Sequence, residues 1–279
     1  MARAPLARST VREALDSALV ALTASGCETP RLDAELLLAE ALGVDRAAVV
    51  AWPERGIEPA EARRFRDMAA RRARREPVAY ILGRKGFRRL ELRVDPRVLI
   101  PRPETEHVVE AALGLPRGAR VVDVGTGSGA IALALKAERP DLEVLGTDAS
   151  PAALAVAREN AAALALDVTL LEGDLLEPVP GPVDAVVSNP PYVAEGEPLA
   201  AEIERHEPRA ALMAGRDGLD VLRRLAPAAA TAGARFAAFE VGAGQAGAVG
   251  ELLRAAGFAE VEAVPDLAGI ERVVVGRRA

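Results

Sequence analysis

The sequence predicts an α/β fold: a mainly parallel sheet with helices on both faces that ends in an antiparallel hairpin, preceded by a small helical domain. Three observations carry this expectation. Beyond Arg120, apolar runs of strand length alternate with helical stretches, the pattern of a doubly wound sheet. The last two of these runs follow one another with no helix between them, which calls for a hairpin. Residues 1–75 instead place apolar side chains at helical spacing between caps and short connections.

In the helical part, Val11, Leu15, Ala18, Leu19 and Leu22 share one face of a helix over Thr10 to Ala24. Thr10 and Glu13 form a capping box at its start, and Gly26 stops it. A second helix opens with Thr29 as cap and Pro30 in the first turn, runs through Leu32, Leu36, Leu37 and Leu42, and ends at Gly43. A third begins at Asp45, and an arginine-rich fourth runs from Pro59 to about Arg75. Residues 76–104 change character: Leu90, Leu92 and Val94 alternate with charged residues as in a half-exposed hairpin, and Pro96, Pro101 and Pro103 then hold the chain extended. Thr105 is expected to cap a helix through Leu113. Strands are expected at 120–125, 142–148, 168–172, 183–188, 235–241, 259–264 and 270–277, with helices in most gaps. The division is therefore 1–75, a helical bundle; 76–104, a linking hairpin and extended segment; and 105–279, the α/β domain.

Bulk properties narrow the function classes. With 279 residues and 50% hydrophobic content, the chain can bury a full core in one large domain and one small one. A net charge of −6 argues against a surface given over to duplex DNA. The first twenty residues, MARAPLARSTVREALDSALV, hold no uninterrupted apolar stretch, so neither a signal segment nor a membrane span is expected and the cytoplasm is the expected compartment. One cysteine, Cys27, excludes an internal disulfide and a cysteine-rich metal cluster, so no metal is expected. Arg63, Arg64, Arg66, Arg71, Arg72, Arg74 and Arg75 read as the solvated face of a helix in preference to a patch for an acidic partner. His107 and His206 lie outside every motif and read as structural or surface residues.

Val121-Val122-Asp123-Val124 runs straight into Gly125-Thr126-Gly127-Ser128-Gly129, a strand entering a glycine-rich turn where backbone can approach a ligand closely. Gly125, Gly127 and Ala130 also fit a dinucleotide loop, and Asp148 at the end of the second sheet strand can accept ribose hydroxyls in either case. A nicotinamide dehydrogenase is therefore a rival on this loop alone. Asp123 before the turn, Gly173-Asp174-Leu175 after the third strand, and the motif after the fourth favour S-adenosylmethionine, which has no pyrophosphate to be met by a helix N-terminus.

That motif is Ser188-Asn189-Pro190-Pro191-Tyr192, at the carboxyl end of an apolar strand. Two successive prolines lack N–H groups, so they fix an extended turn and leave carbonyls as acceptors. A planar amide or amine nitrogen is a poor nucleophile with two N–H groups. The Asn189 side-chain oxygen accepts one and the Pro190 carbonyl the other, which aims the nitrogen at a methyl group; Tyr192 supplies an aromatic wall. No strong base is needed, because the sulfonium of the donor is neutralised as the methyl group leaves it and the methylated nitrogen loses its proton afterwards to water or an accepting carbonyl. A DNA adenine N6-methyltransferase shares this logic, but it would need a basic recognition domain that the segment after Tyr192 does not supply.

Together with Glu76-Pro77-Val78-Ala79-Tyr80-Ile81-Leu82-Gly83, the segment Leu99-Ile100-Pro101-Arg102-Pro103-Glu104-Thr105-Glu106, Glu207-Pro208 and the closing Gly269-Ile270-Glu271-Arg272-Val273-Val274-Val275-Gly276, these motifs resemble the PrmC (HemK) family of glutamine N5-methyltransferases over nearly the whole chain. The resemblance implies a Rossmann-like class I methyltransferase sheet. It also implies S-adenosylmethionine as cofactor, S-adenosylhomocysteine as product, and as acceptor the glutamine of the Gly-Gly-Gln motif in class 1 peptide chain release factors, with an effect on translation termination. It further implies that Gly125 to Gly129, Asp148, Asp174, Leu175 and Asn189 hold the cofactor, that Asn189, Pro190, Pro191 and Tyr192 hold the glutamine, that Leu99 and Pro101 line its pocket, and that the helical domain docks the release factor. Lys85-Gly86-Phe87 departs from the family, which usually carries an acid before the phenylalanine. A ribosomal-protein glutamine N5-methyltransferase remains the alternative, as does a non-enzymatic scaffold that grips release factors. A monomer without direct DNA or membrane binding is expected.

Overall fold

The computed structural model describes residues 9–278. It divides into two compact units, one of residues 9–83 with 200–206, the other of 84–199 with 207–278.

The first unit packs α1 (Val11–Ala24), α2 (Pro30–Leu42), α3 (Arg46–Ala51), α4 (Pro59–Ala73) and the short α5 (Val78–Leu82). Val11, Ala18 and Leu22 of α1, Leu37, Leu38 and Leu42 of α2, and Phe65 and Met68 of α4 meet in one core. Burying each large apolar side chain stabilises it by about 1.5–3 kcal/mol. The capping box at Thr10 is present, Glu13 N donating to Thr10 Oγ1 at 3.3 Å and Thr10 N to Glu13 Oε2 at 2.9 Å. Gly43 ends α2 in the left-handed conformation, φ +63°. Thr29 departs from its expected role: its hydroxyl donates to Asp33 Oδ1 at 2.8 Å and accepts no helix N–H.

The arginine stretch also departs from a wholly solvated face. Arg63, Arg64, Arg66 and Arg74 are exposed, but Arg72 is only 5% exposed because the period of α4 turns it inward with Phe65 and Met68. Its charge is met by Asp33 Oδ2 at 2.7 Å and by Glu202 Oε1 at 2.8 Å. Glu202 lies on α9 (Ala201–His206) and also accepts from Arg75 at 2.5 Å. Burial opposes its ionisation, yet the two guanidiniums hold its carboxyl down at about 2. Segment 200–206 therefore belongs to the helical unit, although it is remote in sequence. The boundary expected at residue 75 falls at 83, since 78–82 form a helical turn and not the start of a hairpin. Cys27 is buried.

The second unit begins with the hairpin of β1 (Arg84–Phe87) and β2 (Leu90–Arg93), antiparallel as expected. Thr105 precedes α6 (Glu106–Ala112), but its side chain makes no cap hydrogen bond; a 3-10 turn over Pro103–Thr105 leads into the helix. The sheet strands are β3 (Arg120–Val124), β4 (Glu143–Asp148), β5 (Thr169–Glu172), β6 (Ala185–Ser188), β7 (Phe236–Glu240), β8 (Glu260–Pro265) and β9 (Glu271–Arg277), in the order β5-β4-β3-β6-β7-β9-β8. The first five in this order pair in parallel and β9 pairs antiparallel with both β7 and β8. The closing hairpin thus inserts its second strand beside β7. Helices α7 (Ala130–Glu138), α8 (Pro151–Leu164), α10 (Asp220–Thr231) and α11 (Ala246–Ala255) cover the sheet. Val121 with Leu133, Val187 and Ala238 packs on one face, and Val122 with Val186, Leu222 and Phe239 on the other. That alternation explains why the central strands read as unbroken apolar runs.

Among the described residues, no helix is long and apolar enough to cross a membrane. Residues 1–8 of the amino-terminal stretch read for a leader lie outside them.

Candidate active site

In a sheet of this topology, strand order reverses beside β3, and a crevice opens at the carboxyl ends of β3, β4 and β6. A cavity of about 360 Å3 occupies that place. Its lining includes Gly125, Gly127, Asp148, Asp174 and Leu175 together with Ser188, Asn189, Pro190, Pro191 and Leu99.

The glycine turn takes left-handed backbone at Gly125, φ +70°, and Gly127, φ +56°. A Cβ on Gly125 would meet no atom within 4 Å, so the loop presents bare backbone to open space. Asp148 shapes the turn from β4: its Oδ2 accepts from Gly127 N at 2.9 Å and its Oδ1 from Ser150 N at 2.8 Å. Each oxygen keeps a second lone pair, and burial raises the carboxyl's pKa. Leu175 sits at φ +48°, a conformation that branched side chains avoid; the Thr147 hydroxyl donates to its carbonyl at 2.7 Å. Asp174 lines the cavity and pairs with Arg224 of α10.

Asp123 is not open to a ligand. It is fully buried, and its Oδ2 accepts from the Thr126 hydroxyl at 2.6 Å and from Ala132 N at 3.2 Å, so it clamps the glycine turn to α7 from beneath. Burial lifts its pKa to about 7, partly offset by those two donors. Thr126, Ser128 and Gly129, expected at the cofactor, likewise do not line the cavity. Thr126 turns to Asp123, and the Ser128 carbonyl accepts from Asn160 at 2.9 Å. Gly129 is the left-handed cap of α7, where a Cβ would strike Leu133.

The motif after β6 is fixed at both ends. The Ser188 hydroxyl donates to Val124 O at 2.6 Å, tying the ends of β6 and β3 together. Asn189 Nδ2 donates to Thr105 Oγ1 at 3.0 Å. Tyr192 does not line the cavity and forms no wall there: its hydroxyl donates to Glu240 Oε1 at 3.2 Å, and its carbonyl accepts from Gln245 Nε2 at 3.0 Å. Burial and the neighbouring Glu240 raise its phenol pKa. Pro101 is buried and does not line the cavity, whereas Leu99 does. Glu207 holds this segment, accepting from Ile100 N at 3.1 Å and from Arg102 at 2.5 Å.

Thr105, Asn160, Glu240 and Gln245 were not identified as site residues from the sequence. For Glu240 one cue existed, a lone acid closing the apolar strand Phe236-Ala237-Ala238-Phe239. The sequence pattern gives Thr105 to a helix cap, which the hydroxyl does not form.

A strand-end crevice with a glycine turn, an acid on the next strand and an Asn-Pro-Pro-Tyr turn defines a methyltransferase of Rossmann-like fold. Residues 106–212 match the methyltransferase small domain, and residues 13–83 match the PrmC N-terminal domain. A release factor glutamine methyltransferase from Koribacter versatilis is 44% identical, the match covering 96% of this chain and 99% of that protein. One from Deinococcus radiodurans is 45% identical over 96% and 99%. The solved structure of a methyltransferase from Pyrococcus furiosus shares the fold at 17% identity, covering 76% of this chain and 99% of that one, with a TM-score of 0.55. The chain belongs to the PrmC family of release factor glutamine methyltransferases.

Proposed function

We propose that this chain transfers a methyl group from S-adenosylmethionine to the side-chain amide nitrogen, N5, of the glutamine in the Gly-Gly-Gln motif of class 1 peptide chain release factors. The observation that carries this reading is a shared cavity: Asn189 and Pro190 line the same space as Gly125, Gly127 and Asp148. The names of its relatives support the acceptor.

The residues fit the donor. Bare backbone at Gly125 admits close approach, and the free lone pairs of Asp148 suit a pair of ribose hydroxyls. Asp174 lines the same cavity with its charge shared by Arg224. When bound, S-adenosylmethionine supplies a methyl group activated by the positive charge of the sulfonium that bears it. The chain's own residues then orient the acceptor. With Nδ2 tied to Thr105, Asn189 offers Oδ1 to one N–H of the glutamine amide, and the Pro190 carbonyl takes the other. Both hydrogen bonds restrain rotation of a weak nucleophile; as the N–CH3 bond forms and the S–CH3 bond breaks, the nitrogen releases one proton to water or an accepting carbonyl, and Leu99 and Pro191 line the space around it. The helical unit docks the release factor, and the protein works in the cytoplasm on translation termination.

Asn189→Ala tests the reading. Turnover on a purified release factor should fall at least about a hundredfold, while donor affinity by calorimetry stays close to that of the parent. Methylation at the parental rate would refute the role of Asn189.

A further inference from the structure

An asparagine side chain has a donor at one end and an acceptor at the other, with nearly the same size and shape. If the amide of Asn189 were reversed, its NH2 would confront an N–H of the acceptor. Something must decide which end faces the cavity. In this structure Nδ2 is spent on Thr105 Oγ1 at 3.0 Å, which leaves Oδ1.

The Thr105 hydroxyl has a single proton. It accepts from Asn189 with a defined direction only if that proton goes to another acceptor. Glu240 stands beside it at the end of β7, and the hydroxyl favours the ionised form of that carboxyl. Glu240 is 1% exposed; Tyr192 donates to its Oε1 at 3.2 Å, and its Oε2 is buried without a hydrogen-bond partner, so it keeps acceptor capacity. We propose that Thr105 and Glu240 are positioning residues that set the polarity of the Asn189 amide, so that its oxygen and not its NH2 meets the acceptor nitrogen. The inference rests on the reading of Asn189 as the residue that holds the acceptor.

The protonation of Glu240 gives this relay a direction in pH. Burial lifts its pKa to about 7; Thr105 and Tyr192 lower it by hydrogen bonding, Glu104 from the 3-10 turn raises it, and Arg272 from β9 lowers it. Ionised, the carboxylate only accepts. Protonated, it donates to Thr105 and frees the threonine proton to seek Asn189 Oδ1, which reverses the amide. Methyl transfer is therefore lost as pH falls through about 7.

The test uses the full chain, a purified release factor and saturating donor, with Thr105→Val, Thr105→Ser and Glu240→Gln. Thr105→Val is isosteric and should lower kcat by about tenfold or more with donor affinity by calorimetry unchanged, whereas Thr105→Ser keeps most of the parental kcat. The fall in kcat below neutral pH should flatten in Glu240→Gln. Parental kcat in Thr105→Val, or equal losses in the valine and serine variants, would overturn the proposal. A second readout is independent of the acceptor: the Asn189 side-chain amide protons, followed by NMR, should exchange faster in Thr105→Val than in the parent. Equal exchange would overturn the polarity argument. If the parent transfers no methyl to release factors, the functional reading fails, and the exchange comparison still decides the orientation.

Discussion

Asp123 is a fully buried carboxyl beneath the glycine turn. Its folded-state pKa, about 7, lies above the ordinary carboxylate range because burial disfavours its charge. The native state therefore binds this proton more tightly than the unfolded chain. Its contribution to stability is complete below about pH 4 and is lost as pH rises through about 7. Glu240 acts with the same sign, being lifted to about 7 by burial. Asp123→Asn preserves an acceptor for Thr126 and Ala132 but removes the charge. Its melting temperature should fall less between pH 5 and pH 8 than the parent's, by the equivalent of on the order of 1 kcal/mol, as followed by circular dichroism; parallel curves would contradict the burial argument. Asp148→Ala should weaken donor binding by about 1–3 kcal/mol, the cost of removing a hydrogen-bonding carboxylate. It also strips Gly127 N and Ser150 N of their acceptor, so calorimetry should be paired with a melt, and an unchanged affinity would reject its assignment.

The elements bring these groups together across long stretches of chain. From β7 onward, Glu240 takes the hydroxyl of Tyr192 and Gln245 its carbonyl, so one turn grips the residue at both ends. Gly218 lies against the same carbonyl at φ +76°, where a Cβ would collide with Tyr192 O. Gly218→Ala should displace the turn and lower kcat on the release factor, with the fluorescence environment of Tyr192 changed; parental values in both would show that the approach is not needed. In the helical unit, Arg72→Met removes the shared cation of Asp33 and Glu202. Leaving those carboxylates without it should cost about 3 kcal/mol, read as a lower urea midpoint for that unit.

Sequence period accounts for what was legible at this scale. Central strands buried on both faces read as apolar runs, so β3, β4, β6 and β7 were found to within two residues. Caps at Thr10, Gly43 and Asp45 act within four residues and were found for the same reason. Thr105 and Glu240 were not, because Thr105 meets Asn189 from 84 positions away and Tyr192 meets Glu240 from 48. No local pattern encodes such pairs. Within the glycine turn, Thr126, Ser128 and Gly129 serve the turn's own shape, a distinction carried by φ angles and hydrogen-bond directions and not by residue type.

For the whole molecule, the proposed chemistry belongs to one unit and the proposed docking to the other. The cavity lies within the α/β unit, and the helical unit carries exposed Arg63 and Arg66 on α4. If that face docks the release factor, Arg63→Glu with Arg66→Glu should raise KM for a whole release factor and leave kcat unchanged; an unchanged KM would remove this face from the docking surface. The central claim is that a glutamine amide of a release factor takes the methyl group in the crevice at Asn189. The most direct measurement incubates the purified chain with isotopically labelled donor and, separately, release factors and total ribosomal protein, then maps the label by mass spectrometry. Label on the side-chain nitrogen of the Gly-Gly-Gln glutamine, lost in Asn189→Ala, is the predicted result; label confined to a ribosomal protein, or on any other residue of the release factor, would contradict it.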